Sequence, residues 1–354
     1  MKPTDIDNLR ILITHPDKAH QQQGWNLLES FGREGFKAVF NEMRWTNTIP
    51  GPGKRRPHRP YFCDWLPDRF VNSELLSFFF DHHSASLPEI RDLDLGGFNI
   101  SHLDFLRGMQ NLWWLNCNSC TGLQDIGGIA DLEKLEHLEF FSCDSLDNIE
   151  ACATIPRLLY LNINHCKLLN DSALLSLRGH PKLVEINGEM LPVVEPRCFS
   201  DMPRLIRLNL TFCKDLQSVA GLQNLPRLRE LCLEDCTVLR NLDGLGALPM
   251  LTDLNLYRCE ELQNVDGLSQ CTALERVNIG TYGGYEPDWD EYMYGPHALT
   301  SIEGLLGLKR LVQVSTKDQA KLPESQAKVL LEMLIRNQAR VTIEGQGEVE
   351  EPQK

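Results

Sequence analysis

No apolar run in the 354 residues approaches the 18 or so that a membrane-spanning helix needs, so membrane insertion is not expected. The first residues, MKPTDIDNLRILITHPD, lack the basic start and unbroken apolar stretch of a secretory signal. The expected location is therefore cytoplasmic, with export by a signal-independent route left open. Positive charge is also scarce, with 35 Lys and Arg against 49 Asp and Glu, a formal net charge of −14. The shortfall is uneven: residues 1–86 hold 11 basic and 10 acidic residues, which leaves 24 against 39 for the rest. Such a region repels nucleic acid and anionic membranes and steers a basic protein partner toward itself. Acidity that serves solubility alone is the competing reading. Catalytic constellations are missing as well. The GPGK at 51–54 lacks the G-x-x-x-x-G-K-[ST] of a phosphate loop, and no Ser/His/Asp spacing of a known family occurs. The chain reads as a non-enzyme with no cofactor.

Cysteine, by contrast, is plentiful, and six of the 12 stand in one column. Cys120, Cys143 and Cys166 are spaced by 23 residues, and so are Cys213, Cys236 and Cys259. The 47 residues from Cys166 to Cys213 span a further copy whose slot falls near Leu191. Around each cysteine runs L-P-x-L-x-x-L-x-L-x-x-C-x-x-L-x-x-V-x-G-L, most clearly in 225–247 and 248–270. Nine copies begin near Leu87, Met109, Leu132, Ile155, His180, Met202, Leu225, Leu248 and Cys271. This spacing and period resemble the leucine-rich repeats. The resemblance implies an α/β solenoid, a leucine-rich-repeat horseshoe with a parallel β-sheet on its concave face. It also implies a helical N-terminal cap and a helix–strand C-terminal cap.

The physics of one unit explains the cysteines. In LRELCLED, Leu231 and Leu233 point inward from a short strand, because side chains alternate faces. No unit can bury that face until neighbours stack on it. Cys120, Cys143, Cys166, Cys213, Cys236 and Cys259 then read as structural turn residues, small buried thiols with a weak donor. Asparagine or cysteine in this slot is what the resemblance implies. Without a secretory signal, so many thiols indicate a reducing compartment rather than a disulfide framework. Cys232 falls between two inward leucines and faces out, but Glu230 and Glu234 beside it oppose a reactive thiolate. Cys117 and Cys120 form a C-x-x-C whose counterpart, Cys232 and Cys236, lies five repeats away. That is about 24 Å at roughly 4.8 Å per strand, too far to complete a zinc site, so no metal is expected.

Outward positions form three columns. The middle one is Asp94, Asn116, Glu139, Asn162, Asn187, Asn209, Cys232, Asn255 and Asn278, where an amide ladder is as good an explanation as a ligand. One flank runs Asp92, Trp114, His137, Tyr160, Glu185, Arg207, Glu230, Asp253, Arg276, and the other includes Phe141, Glu234 and Tyr257. Trp114, His137, Phe141 and Tyr160 would cluster on the early repeats, and exposed aromatics with charged neighbours anchor interfaces. Covering of Trp113 and Trp114 by the N-terminal segment is the rival account. One copy is interrupted by about 14 extra residues, and repeat insertions map to loops on one face, often the binding face. Within 281–297, Tyr285, Trp289 and Tyr292 alternate with Asp288, Asp290 and Glu291. With Glu230, Glu234, Asp253 and Tyr257, these are the candidate contacts for a basic partner.

The division expected is an N-terminal cap over 1–86, repeats over 87–320 and a C-terminal cap with an acidic tail over 321–354. The cap holds helices within 5–45, a Pro-rich loop over 46–71 with Lys54, Arg55, Arg56 and Arg59, and a helix in NSELLSFFFDHH whose apolar face rests on the first strand. The C-terminal cap begins a helix near Pro323 and adds a strand in RVTIEG. The functional expectation is a protein-binding module, as an inhibitor, immunity protein or effector. A structural adaptor assembling through its caps is the alternative.

Overall fold

The computed structural model describes residues 3–31, 35, 38–40, 43–47, 58–61, 68, 71–280, 299–315 and 322–337. Packing divides the chain into two units, Met1–Leu146 with Thr154–Arg157 and Asp147–Ala153 with Leu158–Lys354.

The first unit opens with two helices, α1 (Pro3–Ile13) and α2 (Lys18–Ser30). Leu9 and Ile13 of α1 are buried, as are Trp25 and Leu28 of α2, and the rings of Trp25 and Phe40 stack at 6.4 Å. Asp17 caps the start of α2, its Oδ1 accepting the N–H groups of Ala19 at 2.9 Å and His20 at 3.1 Å. Of the helices expected within 5–45, any in REGFKAVFNEMRW falls largely outside the described residues. The stretch read as a Pro-rich loop contributes to two short strands, β1 (Arg44–Asn47) and β2 (His58–Tyr61), which pair antiparallel. β2 in turn meets β3 (Asp92–Asp94) in parallel at His58↔Leu93. Arg59, read as part of a basic loop, is tied down: it pairs with Asp94 at 3.1 Å and Asp68 at 2.7 Å, and its guanidinium lies 4.3 Å above the Phe98 ring.

Helix α3 (Ser73–His82) follows, capped by the Asn72 side chain, which accepts from the N–H of Leu75 at 2.9 Å. It buries Leu75, Leu76, Phe79 and Phe80. It packs on the segment that follows the first strand. The Phe80 and Phe105 rings are 5.1 Å apart, and the buried Ser73 hydroxyl accepts from the N–H of Ser101 at 2.9 Å. Strands β3, β4 (Trp114–Asn116) and β5 (His137–Glu139) pair in parallel, with Leu93, Leu115 and Leu138 in register and fully buried.

The second unit continues the same plan. Its strands are β6 (Tyr160–Asn162), β7 (Glu185–Asn187), β8 (Arg207–Asn209), β9 (Glu230–Cys232), β10 (Asp253–Asn255), β11 (Arg276–Asn278) and β12 (Gln313–Ser315). They pair in parallel in chain order, aligning the buried residues Leu161, Ile186, Leu208, Leu231, Leu254, Val277 and Val314. β12 belongs to a copy beyond the nine starts read from the sequence. It pairs directly with β11, so residues 281–298 lie between two neighbouring strands. Helix α4 (Glu324–Arg336) follows Pro323 and buries Leu330 and Leu334. Gln326 Oε1 accepts from the N–H of Ile302 at 2.8 Å, and Asn337 Nδ2 donates to the carbonyl of Leu311 at 3.0 Å. The strand expected in RVTIEG lies outside the described residues. Among the described residues no helix is long and apolar enough to cross a membrane.

The turn after each strand is where the column cysteines act. Cys120, Cys143, Cys166, Cys213, Cys236 and Cys259 are fully buried. In the first unit the Cys120 thiol donates to the Leu95 carbonyl at 3.2 Å and the Cys143 thiol to that of Cys117 at 3.1 Å. In the second, Cys213 donates to Gly188 at 3.4 Å, Cys236 to Leu210 at 3.3 Å and Cys259 to Leu233 at 3.1 Å. Each of these five thiols therefore ties its turn to a carbonyl of the preceding copy, in four cases one that also accepts a turn N–H. The residue before each turn slot takes a left-handed conformation: Ser119, Ser142, His165, Met190, Phe212, Asp235 and Arg258 all have φ between 55° and 62°. Only the first copy places a glycine there, Gly97 with φ 79°.

Candidate functional site

The outward columns lie where the two-residue period puts them. The middle column proves to be structural in its hydrogen bonding. Each side-chain oxygen of Asp94, Asn116, Asn162, Asn209, Asn255 and Asn278 accepts the N–H two residues ahead, at 2.8–3.1 Å. The amides also reach sideways. Asn116 Nδ2 donates to Asp94 Oδ1 at 3.0 Å and Asn209 Nδ2 to Asn187 Oδ1 at 2.8 Å. These bonds shape the strand-to-turn corner and hold neighbouring strands in register.

In the first unit, Trp114 and His137 face each other across β4 and β5. The Trp114 indole donates to Glu139 Oε1 at 3.0 Å, and Asn118 Nδ2 donates to Glu139 Oε2 at 2.9 Å. The Trp113 ring rests 4.6 Å from that of His137 at 58°. Trp113 and Trp114 are both half-buried, so neither is sealed beneath the helices, while Phe141 is 41% exposed. This group is an aromatic surface fixed by hydrogen bonds. Tyr160, expected beside it, belongs to the second unit, where it aligns with Glu185.

The second unit carries most of the expected acidic contacts, and its register pairs them internally. Arg207 lies between Glu185 at 3.3 Å and Glu230 at 3.0 Å. Arg276 forks onto both oxygens of Asp253. The Glu230 and Asp253 bonds are the main reason that the two guanidiniums hold their protons above the ordinary arginine range. Glu234 accepts from Asn255 Nδ2 at 2.8 Å. A shallow groove of about 610 Å3 runs along this face between Asn209 and Ser315, floored by Cys232 and Asn255 and edged by Glu230, Asp253 and Arg276. The face is thus charge-alternating, and a string of free carboxylates is not what it presents. Tyr257 is half-buried beside it. Tyr285, Asp288, Trp289, Asp290, Glu291 and Tyr292 lie outside the described residues.

Cys232 keeps its outward position, and its sulfur sits 3.1 Å from the Thr211 hydroxyl. Burial pushes the thiols of Cys213, Cys236 and Cys259 up, Cys213 to about 12, so these three are poor nucleophiles. Among the described residues, His15, Asp17 and His20 form the one three-membered group of metal-ligating side chains. Asp17 there serves as the N-cap of α2, at the positive end of the helix dipole, which disfavours a cation. The internal counterions Arg207 and Arg276 were missed by a reading that scored each column position alone. The signal was present: their carboxylate partners stand one copy away in the same column.

No protein-family model and no curated protein matches the sequence. Several solved structures are similar at low identity. An internalin (inlF) from Listeria monocytogenes is 17% identical over 71% of this chain and 87% of its own, with a TM-score of 0.35. The leucine-rich repeat domain of the type III effector XopL is 16% identical over 78% and 81%, with a TM-score of 0.43. The mouse RP105/MD-1 complex gives 18% over 68% of this chain and 41% of that one, with a TM-score of 0.49. In-register copies, parallel three-residue strands and thiol-closed turns identify the fold as a leucine-rich-repeat solenoid.

Proposed function

We propose that the chain is a non-enzymatic protein-binding module that recognises its partner through the outward strand face. The observation that carries this reading is the aromatic surface of the first unit. Trp114, His137 and Phe141 are accessible yet held in place by Glu139, Asn118 and Trp113. Pre-ordered aromatics lose little conformational entropy on binding, and they are the residue types that dominate interface energetics. The acidic excess of the repeats and the acidic aromatic run 281–297 favour basic surface on that partner, as an inhibitor, immunity protein or effector would meet. Free, buried cysteines support a reducing, cytoplasmic setting.

The test is site-specific photocrosslinking in the native cell. A benzophenone side chain replaces Phe141 in one variant and Leu175, 52% exposed on the turn after β6, in another. A discrete adduct from position 141 alone is the expected result. An adduct from position 175 alone, or from neither, would move the binding site away from the strand face or remove the module reading.

A further inference from the structure

The first unit contains a cleft of about 520 Å3 at the entry side of β3 and β4, lined by Arg91, Asp92, Asn111, Trp113, Lys134 and Arg157. Three cations and one carboxylate in one cleft is a marked departure for a chain of net charge −14. Most exposed arginines of the solenoid have found a carboxylate: Arg107 pairs with Asp104, Arg178 with Asp201, Arg240 with Glu261 and Arg310 with Glu275. Arg204, Arg227 and Arg229 of the second unit have none among the described residues, and the cleft gathers two more such arginines with a lysine. Among the described residues, the Arg91 and Arg157 side chains make no ion pair or hydrogen bond, and Lys134 gives Nζ only to Asn111 Oδ1 at 2.5 Å. Asn111 is itself fixed, its Nδ2 donating to the Pro88 carbonyl at 2.7 Å. The Trp113 ring, propped against His137, supplies an apolar wall.

The fold does not require these cations. Asn111, Lys134 and Arg157 occupy the variable residue of L-P-x-L, between two buried apolar positions, and in the second unit Lys182, Arg204 and Arg227 hold that slot, each exposed. Met250 and Ala273 stand there in later copies, whose strands form equally well. Basic residues in five successive copies, Lys134 through Arg227, are therefore not explained by packing.

We propose that the cleft binds an acidic segment of a protein partner, an Asp or Glu carboxylate flanked by an aromatic or aliphatic residue. Arg91 and Arg157 offer forked donors that match a carboxylate, Lys134 adds a point charge, and Trp113 takes the apolar neighbour. Screening over about 8 Å lets one or two carboxylates respond to the local charge, while a long polyanion meets the acid excess of the other repeats. The proposal rests on the protein-binding reading above and gives that module a second contact.

The experiment is fluorescence anisotropy of the full chain with a rhodamine-labelled peptide, GSEDFEGSG, and its lysine counterpart GSKKFKGSG. Binding of the acidic peptide alone, weakening as salt rises, is the expected result. The Arg91→Ala/Arg157→Ala double variant should lose about tenfold or more in affinity, while Arg240→Ala in the second unit should not. Both substitutions are at exposed positions, and circular dichroism checks that the fold survives. No binding by the wild type, equal binding by the double variant, or binding of the lysine peptide would overturn the proposal. Displacement of the peptide by inorganic phosphate at comparable concentration would also overturn it, assigning the cleft to phosphate. A crosslink at position 141 is read independently, so failure here and failure of the module are distinguishable.

Discussion

Gly188 and Leu191 show how single residues keep the repeat in register. Every other copy puts a larger residue at the inward position after the strand, such as Phe140, Leu210 or Leu233, and most follow it with a cysteine in the turn slot. In the copy of β7 the two are exchanged, with glycine inward and a buried leucine in the slot. A Cβ on Gly188 would lie 2.8 Å from Leu191 Cδ1, so the leucine already fills the space the glycine leaves. Gly188→Ile should overpack the core and cost about 1–3 kcal/mol. Leu191→Cys alone should open a cavity and cost a similar amount. Combined, the two restore the pattern of the neighbouring copies, and urea melts should show a favourable coupling of about 0.5–3 kcal/mol. Simply additive costs would mean that the two slots do not share volume.

Among elements, the turns on the far side from the strands are as constrained as the strands. The 3-10 turn Asp266–Gln270 stacks so closely on its neighbour that a Cβ on Gly267 would lie 2.1 Å from the Leu242 carbonyl oxygen. That explains the glycine of V-x-G-L without any appeal to unusual dihedrals. Gly267→Ala should force the turn outward and destabilise by about 1–3 kcal/mol or more. Gly307→Ala, with nothing within 4 Å of its Cβ, should change stability little. Thermal melts of the two variants compare them directly, and equal melting temperatures would refute the close-stacking account. The strands β1 and β2 are the element that sequence reading missed. Prolines mark 46–71 as loop, since they cannot donate to a ladder. Pairing of Thr46 with Arg59 closes across residues that carry no strand signal, and only the edge offered by β3 and the seat for Arg59 over Phe98 favours it.

Across the whole molecule, the buried thiols make stability depend on pH in a definite direction. Burial raises Cys152 and Cys213 from an ordinary 9.0 to about 12, and Cys198, Cys236 and Cys259 are pushed up as well, all chiefly by desolvation. Below pH 9 both folded and unfolded chains keep these protons, and the stability is fully present. From about 9 to 12 the unfolded chain releases protons that the folded one retains, so stability falls, by up to about 1.4 kcal/mol per thiol per pH unit. Urea midpoints should therefore drop between pH 8 and pH 10, and Cys152→Ala should flatten the slope. A midpoint that stays level over this range would show that the thiols ionise in place. The same burial predicts that they resist thiol reagents until the chain unfolds.

Periodicity along the chain is enough to set the repeat, the inward leucines, the turn cysteines and the three outward columns. Each follows from alternation along a strand and from the need of every copy to bury its face on the next. Sequence legibility ends where side chains from different copies meet. Glu230 looks like a free carboxylate in a list of column residues, yet Arg207, 23 positions earlier, neutralises it once parallel register brings them together. Arg91 and Arg157, with no such partner among the described residues, are brought into one cleft with Lys134 by the same stacking. Charge pairing depends on distances between copies, and those distances exist only after the copies have stacked.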